Sequence, residues 1–182
     1  GATVTEDASF DYITQGVIER AEPNTGQHGT SVTIIGTGLL GGGQYPVAVY
    51  LAGVLHKSID FWNNTHVIVT ASNASAGAGG IFMVMDTGAE VHRFDGWEYL
   101  EEGVLQTVSP DVGVVGTRVH LSGLRMRGGG AHVVDVRLGG IEATITAEDD
   151  DNIYVVAGEG PAGRGDVVLT ADSGALISKF DT

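Results

Sequence analysis

The acidic run Glu148-Asp149-Asp150-Asp151, followed by Asn152, is the densest set of metal-seeking oxygens in the chain. Calcium recruits several carboxylate and carbonyl oxygens at once, so Glu148, Asp149 and Asp151 are candidate Ca²⁺ ligands. A second acidic group, Glu98, Glu101 and Glu102, lies mid-chain, and Glu101 with Glu102 could hold an ion there. Neither group has EF-hand spacing, and consecutive loop residues cannot all face one ion. The bland reading of the run is a solvated turn tip. Six histidines, His28, His56, His66, His92, His120 and His132, form no H-x-H or H-E-x-x-H pair and read as surface or structural residues. Gly36-Thr37-Gly38-Leu39-Leu40-Gly41 matches the dinucleotide pattern G-x-G-x-x-G. That chemistry also needs a helix whose N-terminus meets the pyrophosphate. Gly42-Gly43-Gln44-Tyr45-Pro46 cannot start one, so the stretch is expected to be turns. There is no cysteine and no G-x-S-x-G, which removes thiolate catalysis and the nucleophile elbow. Asn63-Asn64-Thr65 and Asn73-Ala74-Ser75 are N-glycosylation sequons at Asn63 and Asn73. Tyr45, Tyr50, Phe61 and Trp62 could offer rings to a sugar.

These residues must be positioned by a unit that occurs twice. Pro23 matches Pro110, Gly29-Thr30 matches Gly116-Thr117 and Gly36 matches Gly123, each pair 87 residues apart (110 − 23). Internal repetition defines the unit before any single residue is interpreted. It divides the chain into 16–100 and 101–182, with 1–15 as the end of a preceding copy or a leading strand. Phe10-Asp11-Tyr12 precedes Gly16 as Trp97-Glu98-Tyr99 precedes Gly103, and both read as aromatic-acid-aromatic strands. Leu176 to Thr182 resembles Glu90 to Gly96 and stops before the aromatic pair, so both ends are expected to be cut inside the pattern. An active site usually breaks symmetry. Neither copy carries a polar insertion the other lacks, and the aromatic cluster of the first copy has no aromatic counterpart in the second.

Within each copy the signals are short strands and turns. Val32 and Ile34, like Val119 and Leu121, alternate with polar or outward positions. Val47, Val49 and Leu51, and likewise Val134, Val136 and Leu138, are expected to face inward before tight turns at Ala52-Gly53 and Gly139-Gly140. His66–Thr70, Asn152–Val156, Ile81–Met85 and Asp166–Thr170 are β-branched runs bounded by Gly, Asn and Asp. Pro23 and Pro110 end a first strand by removing a ladder donor. Gly26, Gly29, Gly113 and Gly116 are expected at positive-φ turn positions. About seven short strands per copy and no helical periodicity predict an all-β chain of two tandem immunoglobulin-like β-sandwiches. The linker Trp97–Gly103 has no Pro or Ser run, which predicts limited bending.

The pattern Gly-Val-Ile-x-x-x-x-Pro-x-x-Gly-x-x-Gly-Thr-x-Val-Thr-Ile-x-Gly-x-Gly, then Val-x-Val-Tyr-x-x-Gly, resembles the IPT/TIG domain. That module occurs in plexins, fibrocystin-like surface proteins and some transcription factors. In the first copy Leu39 stands where the family usually has Phe, and in the second Gly123-Leu124 lacks the Gly-x-Gly. The resemblance implies the immunoglobulin-like fold in both copies, and a fold so widely reused does not specify function.

The totals narrow the field. The 182 residues carry 9 basic and 23 acidic side chains, a net charge of −14, which disfavours nucleic acid and an anionic membrane surface. No stretch of about 18 apolar residues is present to span a bilayer as a helix. The start, Gly1 to Asp7, is not a signal peptide. Together with the resemblance, this points to a non-catalytic structural or adhesion module pair, a stalk or spacer of a large extracellular or cell-surface protein. Its expected partners are neighbouring repeats, other proteins or glycans, with no cofactor unless Ca²⁺ binds. The rival readings are a glycan- or calcium-binding module and an accessory domain of a glycan-active enzyme.

Overall fold

The structure is a computed structural model that describes residues 1–4 and 10–180. The expected leading segment 1–15 therefore falls partly, and Asp181-Thr182 wholly, outside the described residues. No helix occurs among the described residues. The first module holds β1 (Val17–Glu22), β2 (Thr25–Gly26), β3 (Ser31–Thr37), β4 (Pro46–Leu51), β5 (Val54–Leu55), β6 (Ser58–Trp62), β7 (His66–Thr70), β8 (Gly77–Met85) and β9 (Glu90–Tyr99). The second holds β10 (Val104–Ser109), β11 (Arg118–Leu124), β12 (Val133–Leu138), β13 (Ile141–Glu142), β14 (Thr144–Glu148), β15 (Asn152–Val156), β16 (Val167–Ala171) and β17 (Leu176–Lys179).

Each module is two sheets face to face. In the first, β1-β3-β7-β6 packs on β2-β9-β8-β4-β5. In the second, β10-β11-β15-β14 packs on β13-β12-β16-β17. The repeat spacing is 87 residues through β5 and β13, then 86 from β7 and β15 onward (152 − 66). Alternation along the strands makes the two faces. Val32, Ile34, Val67 and Val69 of the first module are fully buried, as are Leu121 and Ile153 of the second. Each module has its own core, and the two buried clusters share no residue.

Two expectations need correction. Val47 and Val134 are 50% and 59% exposed, while Pro46 and Val133 take the inward position. A register shift between Pro46 and Ala48, and again between Val133 and Asp135, turns the strand by one residue there. Gly26 and Gly113 do not have positive φ; Gly29 (+88°) and Gly116 (+85°) do. A Cβ on Gly26 would stand 2.6 Å from Thr30 Oγ1, and one on Gly113 2.6 Å from Thr117 Oγ1. Those two glycines admit a threonine side chain. The dinucleotide-like stretch is the end of β3 and a turn, with φ of +62° at Gly38 and +52° at Gly41. Pro23 and Pro110 follow cis peptide bonds just past β1 and β10.

Candidate functional site

The most constructed feature outside the cores is the joint between the modules. It grows from the loop Gln27-His28-Gly29-Thr30. Thr30 Oγ1 accepts from the Gln27 amide at 3.1 Å, and the Thr30 amide returns to the Gln27 carbonyl at 3.1 Å. Ala71 clamps the loop by bonds to Gly29 N and Thr30 O. So held, the loop presents its backbone edge to the second module. Ser31 N donates to Ser173 O at 2.9 Å, and Leu176 N donates to His28 O at 3.0 Å. The Gln27 amide completes the joint, its Nε2 donating to Leu176 O at 3.1 Å and its Oε1 accepting from Gly103 N at 2.7 Å. Gln27 and Thr30 are the two fully buried polar side chains among the described residues.

Close approach demands glycine on both sides. A Cβ on Gly29 would meet Gly174 O at 2.7 Å, and one on Gly174 would meet Gly29 O at 2.9 Å. On the linker, Leu100 lies against Gly129, and Arg125 donates twice to the Glu102 carbonyl while pairing with Glu101 at 3.4 Å. Glu101 and Glu102 thus sit at the joint, beside an arginine. Burial, and then Lys57, lowers the pKa of His28, with Glu102 acting in the opposite direction.

The acidic run forms the β14–β15 hairpin. Glu148 pairs with Arg127 at 2.8 Å and with His132 at 3.0 Å, and its pKa is lowered to about 2, first by the Arg127 hydrogen bond. Asp149 Oδ1 accepts from the amides of Asp151 and Asn152, and Asp150 Oδ1 accepts from Arg127 N. The first module builds the same hairpin from amides. Asn63 Oδ1 accepts from Thr65 N and His66 N, and Asn64 Oδ1 accepts from Leu40 N. Among the described residues no group of three His, Asp or Glu side chains is arranged to hold a metal ion. Asn63 and Asn73 are both exposed and outside strands.

Of the expected aromatic cluster, Tyr50 pairs instead with Phe82, rings 5.9 Å apart, and Trp62 donates to the Gln44 carbonyl. The second module holds an aromatic surface that sequence reasoning passed over. Tyr154 stacks on His120 at 4.5 Å and 7° along a trough of about 460 Å³ lined also by Ser109, Arg118 and Ala147. Pairing across β11 and β15 brings those rings together from 34 residues apart (154 − 120), which no local pattern announces. Gln27 was also passed over. Its signal was available, because Gln27-His28 stand opposite Val114-Val115 between glycines and a threonine that match.

Comparison with known proteins follows the same division. The IPT/TIG domain family model matches residues 17–93 and again 104–180. The plexin A4 full extracellular region, domains 1 to 8, aligns at a TM-score of 0.52 and 20% identity over 95% of this chain and 18% of that one. The same region with domains 1 to 10 aligns at 0.54 and 18% identity, over 97% of this chain and 16% of that one. SGBP-B from a complex xyloglucan utilization locus in Bacteroides uniformis aligns at 0.39 and 16% identity, over 92% and 49%. The chain thus spans less than a fifth of the plexin chains, and at these identities the likeness concerns the fold. No curated protein sequence matches it.

Proposed function

The chain belongs to the IPT/TIG family, and from that premise we propose that its two modules, 16–100 and 101–182, are a non-catalytic structural pair. They serve as a spacer or adhesion segment of a larger extracellular or cell-surface protein, with 1–15 as the end of a preceding repeat or a leading strand. The observation that carries the reading is the joint. Two backbone hydrogen bonds and a buried glutamine amide cross between modules, which favours a fixed angle over a free hinge. The plexin regions of like fold are extracellular by their titles, which supports a place outside the cell. The partners are neighbouring repeats of the same chain and, along the exposed sheets, other proteins or glycans. A net charge of −14 supports neither nucleic acid nor an anionic membrane as partner. Small-angle scattering tests the reading: one elongated conformation should fit the data, and a profile needing a broad ensemble of angles would sink it.

A second reading rests on the His120–Tyr154 trough. A stacked aromatic edge beside Arg118 and Ser109 is suited to the apolar face and hydroxyls of a sugar. Tyr154→Ala should abolish glycan binding measured by calorimetry while leaving the melting temperature nearly unchanged. An array of glycans that yields no ligand would end this reading.

A further inference from the structure

The outer face of β10-β11-β15-β14 carries the stacked rings in one cross-strand row. Ser109 pairs with His120, His120 with Tyr154, and Tyr154 with Ala147, so one side chain per strand stands on a line at about 4.8 Å intervals. The end members of the row are small, and Tyr154 is 46% exposed. The rings are held from one side. Asp149 Oδ1 accepts from Asn152 Nδ2 at 3.3 Å and from the Asn152 amide at 2.7 Å, which turns Asn152 Oδ1 towards His120 Nε2 at 3.0 Å. His120 Nε2 therefore carries the proton and donates, and its Nδ1 keeps a lone pair for another donor.

Two residues before His120, on the same face of β11, stands Arg118. It is exposed and opposite Val156, which pairs in turn with Thr144, so no carboxylate belongs to its row. Arg118 has no hydrogen bond or ion pair, whereas Arg20, Arg125, Arg127 and Arg137 pair with carboxylates and Arg93 donates to backbone carbonyls. The trough of about 460 Å³ thus brings together an aromatic surface, hydroxyls and an uncommitted guanidinium. Small-molecule sites commonly occupy about 300–1,000 Å³.

The first module supplies the contrast within the same molecule. Its matching row is Glu22, Thr33, Ile68 and Phe61, and Ser31 stands in place of Arg118. There is no ring pair, a phenylalanine replaces Ala147, and a carboxylate replaces Ser109. The sandwich forms in that copy without the arginine or the stacked rings, so neither is a requirement of the fold.

We propose that the trough binds a sugar acid, a pyranose bearing a carboxylate, with the carboxylate on Arg118 and the apolar face of the ring against Tyr154. A guanidinium meets a carboxylate through two parallel N–H donors, which sets orientation as well as position. His120 Nδ1 accepts from one sugar hydroxyl, and Ser109 Oγ donates to or accepts from another. An extended peptide suits the trough less. β11 and β15 are each paired on both sides, so they offer no backbone ladder, and recognition falls to side chains. The net charge of −14 opposes an anion at long range, but physiological salt screens that beyond about 8 Å and leaves direct contact with Arg118. The proposal rests on the glycan reading of this trough and adds the charge of the ligand to it.

Calorimetry and amide chemical shifts of the whole chain test it. The probes are tetragalacturonate and sialyllactose, each beside its methyl ester, and a tetraglutamate peptide. Titrated to about 10 mM, which covers weak single-site contacts, at least one sugar acid should bind and shift the amides of His120, Tyr154 and Val156. The tighter of the two identifies the source of the acid. Its methyl ester keeps the ring and masks the charge, and should bind at least about tenfold more weakly. Arg118→Gln, at an exposed position, should leave the melting temperature unchanged and erase the difference between acid and ester. Acid and ester binding alike, both lost in Tyr154→Ala, would overturn the charge while the glycan reading stands. A neutral glycan that binds where both acids fail would do the same. A preference for acid that survives Arg118→Gln would overturn the assignment of the carboxylate. Tetraglutamate bound as tightly as the sugar acid would overturn the sugar as occupant, and a trough that takes no sugar at all would end both readings.

Discussion

The first module buries an aromatic pair, Trp97 and Tyr99, in its core and the described residues of the second bury no such pair, although the two share strand order and loop geometry. Sixteen buried residues form the first core and eleven the second. The first core's additional members include Trp97 and Tyr99, and Ala21, Leu51, Ala71 and Ile81 are more buried than their counterparts Val108, Leu138, Ala157 and Val167. The first module is therefore completed by a lid, the Trp97–Tyr99 end of β9, which also links it onward. Linker and lid are one strand, so stability and array geometry are coupled.

The sharpest way to break the contrast is to remove the larger ring of the first module's pair. Trp97→Ala removes a fully buried indole and should cost about 3–5 kcal/mol. Hydrogen exchange should quicken at Ala21, Leu51, Ala71 and Ile81 while the second module's core amides hold their rates. Equal acceleration in both modules would mean that they share one cooperative unit.

Next in size is the joint. Gln27→Ala leaves Gly103 N and Leu176 O without their side-chain partner and should cost about 1–3 kcal/mol of coupling between modules. Calorimetry should then resolve two transitions where the native chain gives more overlapping ones. The mirror change, Val114→Gln, alters an exposed position and should move stability by less than about 0.5 kcal/mol. A large effect there would contradict the exposure of Val114.

Acid sharpens the comparison further. The two β-hairpins are superposable in function, yet one is tied by Asn63 and Asn64 and the other by Asp149, Asp150 and Glu148. Glu148 has its pKa lowered from 4.5 to about 2 by Arg127 and His132. A carboxyl lowered on folding contributes stability that is present above its unfolded value and is lost as pH falls through the folded one. The second module should therefore lose stability between pH 4.5 and about 2, while the amide-tied hairpin of the first does not respond. Glu148→Gln should flatten that dependence. The joint answers in a different window, because the lowered pKa of His28 favours the neutral ring and its contribution is lost as pH falls below 6.5. Chemical shifts followed through the titration would separate the two, and simultaneous loss in both windows would refute the assignment.

What sequence could show follows from range. Strands such as β3 and β11 were legible because alternation is local, and the modules because a strict repeat needs no structure. Gly41 was legible as a turn because the residues after it cannot begin a helix. Val47 and Val134 were misread because a bulge shifts the alternation without changing composition. Gly26 and Gly113 were misread because their neighbour is a threonine side chain across the loop, which spacing does not reveal. The acidic run read as a tip or an ion site because Arg127, its partner, arrives from a turn 21 residues away (148 − 127). The lid was half legible: the aromatic pair stood out, but its burial depends on two strands that meet only in the folded sheet.

The smallest expected effect lies in the β4–β5 and β12–β13 turns, where the modules differ by one methyl group. Ala52-Gly53 and Gly139-Gly140 both hold two positive φ angles, +46° and +82° in the first, +58° and +81° in the second. Such a turn matches the twist of a hairpin and favours glycine at both positions. Alanine with positive φ carries a steric cost of about 1–2 kcal/mol, partly offset by the greater chain entropy that glycine would lose on folding. Gly139→Ala has room, the nearest atom to a new Cβ being 3.9 Å away, so it should pay only the backbone term and lose about 1 kcal/mol. Ala52→Gly relieves the same term but gives up a methyl packed against the first core, so its gain should be smaller than the loss at Gly139. Melting temperatures of the two single variants would show opposite signs and unequal sizes. If both substitutions destabilise, the Ala52 methyl outweighs its backbone strain, and the first module is closed by one more contact than its lid alone supplies.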